Sequence, residues 1–396
     1  MATAGDRLEA SAMAESARTC PYPAFGAAVA PVGGTAAPDD SLGAVVEGLL
    51  AEFFADRRAA TGESDTGFDT ETVQRLQDFV LSGGKRIRPA FAWWGWRAAG
   101  GAAEGPAARS ALRAASALEL LHACALIQDD VMDASTLRRG RPAVHIAVED
   151  EHRRRRWAGG ARRYGESVAV LAGDLALAWA DDMLDEALDG LGTRRLARVP
   201  WQRMRTELIT GQFLDLRARA SGDDSPDAAL RVDRLKTAAY SAERPLHLGA
   251  AMAGGDDVLT AALRGYGAEV GTAFQLRDDL LGLYGDPAVT GKPVGDDIRE
   301  GKPTLLWALG VERARARGDA ESAAVLRACA GDTALGDDAV ATLAALLEEL
   351  GARAAVEERI SRLVESGLDR IRDTPMPGAA RRALESMAVQ AATRTR

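Results

Sequence analysis

Two clusters of acidic residues lie within otherwise apolar segments of this 396-residue chain. The first, DDVMD at 129–133, ends one apolar stretch, and the pair Asp278 and Asp279 ends another. A buried, unpaired carboxylate costs several kcal/mol, so such a group needs cations to hold it. Oxygen-only clusters suit Mg²⁺, which keeps several waters and is completed by substrate phosphates. One such pair alone is typically a helix cap or a surface feature, but two in matching settings favour a metal site.

Helical spacing would bring each cluster to one face of its helix. Asp129 and Asp133 are one turn apart. In the second segment one face is shared by Gln275, Asp278, Asp279 and Gly282. The two faces therefore have to meet across the molecule if they form one site.

Lysine usage gives a second indication. Only four of the 49 basic residues are lysines, and each stands beside glycine, proline or threonine in a short motif. They are Lys85, Lys236, Lys292 and Lys302. A chain so biased toward arginine retains an ammonium group mainly where a compact, mobile charge is useful, as in phosphate binding. Chance retention is the alternative, but the placement in motifs favours phosphate binding.

Basic motifs accompany both acidic clusters. GGKRIRP at 83–89 places glycines and cations before a helix, where they can hold a diphosphate. LRRGRP at 137–142 follows the first cluster, and GKPVGDDIREGKPT at 291–304 follows the second as a possible flap over phosphates. His122 shares the helix face of the first cluster, which favours an anion-binding role over that of an ordinary core histidine. For GGKRIRP the alternative is a generic basic turn. For LRRGRP it is a structural pairing of Arg138 with Asp133, and for GKPVGDDIREGKPT it is a plain surface loop.

Composition limits the function classes. A hydrophobic content of 47% supports a core, and the net charge of −9 argues against a nucleic-acid binder. The basic run 153–156 is interpreted as a solvated loop, with an anionic partner or membrane surface as the alternative. Three scattered cysteines, no run of 18 apolar residues and no secretory signal predict a cytoplasmic protein without a membrane span.

The elements that must position these residues are predicted to be helices. Residues 1–40 are rich in Ala, Gly, Pro and Ser and are expected to be a disordered extension. Residues 41–396 are expected to form one large all-α domain, because strand-type alternation is nearly absent and each acidic cluster needs partners from distant segments. Helices are predicted from Ser41 onward and near 70–82, 88–100, 107–134, 165–190, 197–219, 228–253, 256–285, 302–317, 319–330, 336–349, 352–373 and 378–392.

Taken together, these segments resemble the trans-type (head-to-tail) isoprenyl diphosphate synthases, the polyprenyl synthetase family, and most of all its bacterial geranylgeranyl diphosphate synthases. The matching segments occur in the family order. They are GGKRIRP at 83–89, LLHACALIQDDVMD at 120–133, LRRGRP at 137–142, LAGD at 171–174, TGQFLDL at 210–216, KT at 236–237, FQLRDDLLG at 274–282 and GKPVGDDIREGKPT at 291–304.

The resemblance implies a role for each matched residue. Isopentenyl diphosphate would be bound by Lys85, Arg88, His122 and Arg139. The allylic diphosphate would be bound by Arg138, Lys236, Thr237, Gln275, Lys292 and Lys302. Mg²⁺, expected as three ions, would be held by Asp129, Asp130, Asp133, Asp278 and Asp279. The groups expected to act on the reacting diphosphate are Lys236, Asp129, Asp133, Arg138 and Lys302.

Two positions depart from the family pattern. Gln128 stands before the first cluster where many members have histidine, and Gly282 ends the second cluster where the family has a third aspartate. Asp278 remains available to a metal ion, and Asp279 is expected to act through water. We therefore expect activity to survive, with weaker binding of the third ion.

The implied reaction is the Mg²⁺-dependent condensation of isopentenyl diphosphate with an allylic diphosphate. The allylic C–O bond breaks toward a carbocation, the double bond of isopentenyl diphosphate attacks it, and a proton is lost to the released diphosphate. An apolar cavity would keep water away from the cation.

Product length depends on the helix face below the first cluster. Cys124 and Ala125, one turn before Asp129, are both small, whereas bulky aromatics there block elongation in this family. Each turn adds about 5.4 Å, comparable to one isoprene unit. Leu121 follows, and Trp179 is the candidate floor. We expect a C20 product, geranylgeranyl diphosphate, with a longer chain or farnesyl diphosphate as alternatives.

Two alternative functions, each from a different class of protein, remain to be considered. A class I terpene cyclase would carry a second metal motif of Asn/Asp, Ser/Thr and Glu type, which the chain lacks. A non-catalytic regulatory subunit of a synthase would be expected to have lost the first acidic cluster. The resemblance also implies a homodimer, and it implies that the all-α domain is a single large helical bundle around a deep central cavity.

Overall fold

A computed structural model describes residues 38–287 and 294–394, and this part of the chain is almost entirely helical. In chain order the elements are α1 (Pro38–Ser64), α2 (Thr66–Phe68), the π-helix π1 (Asp69–Val73), α3 (Gln74–Leu81), α4 (Ile87–Ala98), α5 (Pro106–Met132), β1 (Leu137–Arg138), β2 (Arg141–Pro142), α6 (Val144–Arg154), α7 (Ala161–Leu188), α8 (Arg194–Ser221), α9 (Pro226–Val232), π2 (Asp233–Glu243), α10 (Arg244–Met252), α11 (Asp257–Tyr284), α12 (Asp296–Arg299), α13 (Leu305–Ala316), α14 (Ala320–Cys329), α15 (Asp337–Glu349), α16 (Ala352–Arg372) and α17 (Gly378–Thr393).

Local sequence explains where several helices begin. Pro106 opens α5, because a first-turn residue needs no intrahelical N–H donor. The side chains of Ser225 and Asp256 cap α9 and α11 by accepting hydrogen bonds from backbone N–H groups three residues later. Local sequence thus fixes where the two carboxyl-rich helices α5 and α11 begin.

The helices pack around two apolar cores. One joins α1 with α3 to α8, and its centre is α5 lying against α7. The other joins α10 with α11 to α17, and α11 lies against α16 and π2. The acidic ends of α5 and α11 both line one cavity. Because the described residues are almost entirely helical, the predicted all-α fold is confirmed.

Within the described residues, α5 is the one helix long and apolar enough to cross a membrane, and 72% of its most apolar window is buried inside the protein. Burial in the core accounts for that composition.

Three features differ from expectation. The basic run was expected as a loop, but its first two arginines, Arg153 and Arg154, end α6, where they form ion pairs with Glu149 and Glu151. Residues 137–142 form a two-stranded antiparallel hairpin. The helix expected over 228–253 is three consecutive segments, α9, π2 and α10. The extension expected over residues 1–40 lies almost entirely outside the described residues.

Candidate active site

A cavity of about 500 Å³ opens between the acidic ends of α5 and α11. The structure brings most of the predicted site residues to its wall. Those lining it are Lys85, Arg88, His122, Ala125, Asp129, Arg138, Arg139, Lys236, Thr237, Gln275, Asp278, Asp279 and Lys302. Asp129 of the first cluster and Asp278 and Asp279 of the second, distant in sequence, therefore face one space, whereas Asp130 and Asp133 are not among the residues that line it.

Lys236 is the cation at the centre of the first cluster. Its Nζ donates to Asp129 Oδ1 at 2.9 Å and to Asp215 Oδ2 at 2.5 Å. Burial alone would lower the pKa of Lys236, but the two carboxylates outweigh it and raise that pKa. Burial likewise opposes ionisation of Asp129, yet the Lys236 ammonium brings its pKa below the ordinary value. Both groups are therefore charged at neutral pH.

A close approach of two helices places Lys236 there. Gly211 on α8 lies against π2, and a Cβ at this glycine would stand 2.2 Å from the backbone nitrogen of Lys236. Any larger residue at position 211 would push the two helices apart. Gly211 thus sets the position of the lysine.

The other two aspartates of the first cluster have separate arginine partners. Asp130 accepts a hydrogen bond from Arg138 Nε at 2.8 Å, and Asp133 accepts one from Arg219 Nη2 at 2.7 Å. The pairing of Arg138 with Asp133 that the sequence left open is therefore wrong. Arg219 occupies that place because it rises from α8 beside Asp215.

Tyr240 organises the opposite wall. Arg88 Nη2 donates to the Tyr240 hydroxyl at 2.6 Å, and Arg88 Cζ lies 4.3 Å from the centre of the Tyr240 ring. His122 Nδ1 is 3.1 Å from the same hydroxyl. Burial, and then the charges of Arg88 and Arg139, lowers the pKa of His122 well below 6.5, so its imidazole is neutral at pH 7. This wall is a cationic surface with a neutral hydrogen-bonding histidine.

The GGKRIRP turn is held by a buried ion pair. Arg86 has a left-handed backbone and donates to Glu119 at 2.7 Å and to the Val80 carbonyl at 2.9 Å. Arg139 donates to the Gly83 carbonyl at 3.0 Å. Arg86 is therefore structural, and it fixes the turn that presents the neighbouring cations to the cavity.

The second cluster is arranged along α11. Gln275 Nε2 donates to Asp279 Oδ1 at 2.7 Å, and Asp278 pairs with Arg394 from the end of α17. Burial, and then the nearby carboxylates of Asp233 and Asp297, raises the pKa of Asp279 well above its ordinary value. Among the described residues, none of the main influences on this carboxylate is the charge of a lysine or arginine, so burial and the neighbouring acids dominate its pKa.

The donor set fits Mg²⁺. Among the described residues, one buried carboxylate oxygen on each of Asp130, Asp133 and Asp279 has no hydrogen-bond donor. No three acidic, histidine or cysteine side chains in this part of the chain surround a point closely enough to enclose an ion alone. Mg²⁺ does not need such an enclosure, because it is usually held by one or two carboxylates with waters and substrate phosphates.

Some predicted residues lie elsewhere. Gln128 donates to Asp174 Oδ1 at 3.1 Å, in the packing of α5 against α7. The described wall of the cavity includes Ala125 but not Cys124, Leu121 or Trp179, so their role in chain length stays a prediction. Lys292 lies outside the described residues.

Sequence reasoning assigned no role to several residues that the structure places at the site. They are Arg219, Asp215, Tyr240, Asp233, Asp297 and Arg394. For Asp215 the signal was the TGQFLDL segment, and for Asp297 it was the flap motif. Arg394 stands in no motif, and only the course of α17 brings it to the cavity.

The polyprenyl synthetase family model matches residues 70–346. The chain is 33% identical to a (2E,6E)-farnesyl diphosphate synthase of Mycobacterium tuberculosis over 77% of this chain and 78% of the relative. It is 35% identical to a geranylgeranyl diphosphate synthase of the same species over 74% and 77%. A crystal structure of geranylgeranyl pyrophosphate synthase from Corynebacterium glutamicum, complexed with isoprenyl diphosphate and magnesium, matches with a TM-score of 0.84 and 45% identity over 89% of this chain and 98% of that one. Since the family model covers most of the chain, the protein belongs to the polyprenyl synthetase family of trans-prenyltransferases.

Proposed function

We propose that the protein condenses isopentenyl diphosphate with allylic diphosphates in the presence of Mg²⁺ and releases geranylgeranyl diphosphate. The observation that carries the proposal is the cavity in which Asp129, Asp278 and Asp279 face the cations of the GGKRIRP turn and Lys236. Such a cavity can hold two diphosphates at once, one on each wall. The family relationship supports the same reaction.

The residues divide between the two substrates. Lys85, Arg88, His122 and Arg139 bind isopentenyl diphosphate on the wall organised by Tyr240. Arg138, Lys236, Thr237, Gln275, Lys292 and Lys302 bind the allylic diphosphate between the clusters. Asp129, Asp130 and Asp133 on one side and Asp278 and Asp279 on the other hold three Mg²⁺ ions, which neutralise the charge on the diphosphate when bound.

The chain's own groups then favour transfer. Lys236 and Arg138 stabilise negative charge on the departing allylic diphosphate as the C–O bond breaks. The double bond of isopentenyl diphosphate supplies the electron pair of the new C–C bond, and a proton leaves to the released diphosphate. Neutral His122 donates a hydrogen bond to the bound isopentenyl diphosphate without competing for that proton. Apolar groups at the inner end, including Leu126 and Leu208, exclude water.

The C20 product is supported by the size of the residue below the first cluster. Ala125 lines the cavity without an aromatic ring to stop the growing chain. Trp179 packs edge-on against Phe53 and Phe54, with centroid distances of 6.1 and 6.0 Å. We assign this aromatic group as the floor and Leu121 and Cys124 as the walls above it. A longer product would require the floor to lie deeper in the cavity, and farnesyl diphosphate would require it to lie higher.

A homodimer in the cytoplasm is the proposed working form, with a single synthase domain from residue 41 onward. Ile209, Phe213 and Leu216 recur on one face of α8, and Ile209 and Phe213 are 64% and 58% exposed. An exposed apolar stripe of this kind is typical of an interface between copies.

Incubation of the purified protein with Mg²⁺, isopentenyl diphosphate and in turn dimethylallyl, geranyl or farnesyl diphosphate tests the proposal. Mass spectrometry should find mainly a C20 diphosphate. Folded protein that yields no product from any starter would refute the proposed function.

A further inference from the structure

The space beside Gly282 is not vacant. A Cβ built on this glycine would stand 2.9 Å from Oδ2 of Asp297, closer than real Cβ atoms approach other groups. Asp297 is the second residue of the short helix α12, which belongs to the loop after α11. The carboxylate of Asp297 therefore stands where a side chain at position 282 would begin.

The loop is fixed to α11 at this same position. The N–H of Gly295 donates to the Gly282 carbonyl at 2.9 Å, and the N–H of Lys302 donates to the Asp297 carbonyl at 2.9 Å. Lys302 Nζ is 3.2 Å from Asp297 Oδ1 and 2.7 Å from Glu300 Oε2. These bonds set the register in which Asp297 faces Gly282.

Two buried carboxylates adjoin this position. Asp279 and Asp233 are 7% and 6% exposed, and among the described residues the Oδ2 atom of each lacks a hydrogen-bond donor. Both line the cavity together with Asp297. Unpartnered oxygens this deeply buried favour the binding of a cation.

We propose that Asp297 supplies the third carboxylate of the second acidic cluster from the loop, and that Gly282 is the residue that admits it. The inference rests on the proposed function, since the cation is the Mg²⁺ that α11 would share with the allylic diphosphate. Asp297 would act as a positioning residue that helps Asp279 and Asp233 to hold that ion. With this carboxylate in place, the third Mg²⁺ ion is no longer expected to bind more weakly, as Gly282 alone would predict.

The test measures divalent-ion binding directly. Mn²⁺, which accepts the same oxygen ligands as Mg²⁺, is titrated into the full-length protein with an unreactive allylic thiolodiphosphate present, and free Mn²⁺ is followed by electron paramagnetic resonance. Four proteins are compared: the wild type, Asp297→Asn, Gly282→Asp with Asp297→Gly, and Asp296→Asn. Asp296 is the matched control, because it adjoins Asp297 but pairs outward with Arg299 at 3.1 Å.

We expect Asp297→Asn to weaken the weakest Mn²⁺ site by about tenfold or more, the range for residues that support metal ligands. Asp296→Asn should bind like the wild type, and the double variant should recover affinity because the acid has returned to α11. Wild-type affinity in Asp297→Asn would overturn the inference, as would a double variant no better than Asp297→Asn although folded by circular dichroism. A wild-type protein that binds no Mn²⁺ would instead contradict the proposed function itself.

Discussion

Lys236 holds two carboxylates of the cavity and is also the group assigned to the departing diphosphate. In the structure it bridges Asp129 and Asp215, so it keeps the acidic residues in place before substrates arrive. When a diphosphate binds, the same ammonium can turn to it at little cost, since a lysine offers three donors on a flexible stem.

Replacing Lys236 with methionine should lower kcat by about 100-fold, the scale for losing one group that stabilises charge in a transition state. Steady-state kinetics with geranyl diphosphate would measure the loss. Arg234→Met is the matched control, because Arg234 lies on the same π2 segment with an exposed side chain. An equal loss in both variants would show that π2 is merely sensitive to substitution.

His122 should make stability depend on pH. Its pKa is well below 6.5 in the folded protein, and it returns toward 6.5 in the unfolded chain. Between these values the unfolded state binds more protons, so stability falls as the pH drops below about 6.5. The difference in unfolding free energy between the wild type and His122→Asn should therefore shrink between about pH 7 and pH 5.

Urea unfolding of both proteins across that range measures this difference. The other histidines are present in both proteins, so their contributions to this difference cancel. A difference that stays constant with pH would contradict the burial and the cationic surroundings of His122.

At the scale of elements, the close contact between α8 and π2 positions the lysine. Gly211→Ala would force apart two backbones that are in contact at this glycine. We expect a lower melting temperature together with reduced kcat, because Lys236 moves with π2. Thermal unfolding and kinetics on the same preparation would measure both.

Gly43→Ala is the control for that substitution. Gly43 lies in α1 with no atom within 4 Å of an added Cβ. Alanine there should raise stability by up to about 1 kcal/mol through helix propensity. A Gly211→Ala protein that behaves like Gly43→Ala would rule out the proposed contact.

The face of α5 below the first cluster should set the product. Ala125→Phe places a ring in the cavity and should shift products from C20 to C15 or shorter, whereas Ala125→Gly should not shorten them. Trp179→Ala should lengthen the products and destabilise the protein by about 3–5 kcal/mol. Mass spectrometry of the products tests both directions. An unchanged product length in Ala125→Phe and in Trp179→Ala would place the cavity floor elsewhere.

The sequence predicted most helices, because apolar residues recur at helical spacing and caps mark the boundaries. It also predicted which motifs meet, through the chemistry of carboxylates, cations and diphosphates. It did not predict the partners within the site. Arg219 and Tyr240 are ordinary helical residues in the sequence, and they join the site only because α8 and π2 pass beside α5. Nor did it predict that the carboxylate of Asp297, from another element, lies beside Gly282.

At the scale of the whole molecule, the exposed apolar stripe on α8 predicts self-association. Phe213→Arg should convert a dimer to a monomer, because an unpaired charge would be buried in the interface. Light scattering after size-exclusion chromatography measures the mass. Val258→Arg is the control, since Val258 is 74% exposed on α11. A monomeric wild type, or a Phe213→Arg protein that stays dimeric, would remove this face as the interface.

The proposed reaction requires a cavity that holds two diphosphates with Mg²⁺ and ends near Trp179. The most direct measurement is the chain length of the product formed from isopentenyl and farnesyl diphosphates by the purified wild type with Mg²⁺. We expect a C20 diphosphate that disappears when the metal is chelated. Folded protein that makes no prenyl product, or makes it equally well with the metal removed, would contradict the proposed reaction.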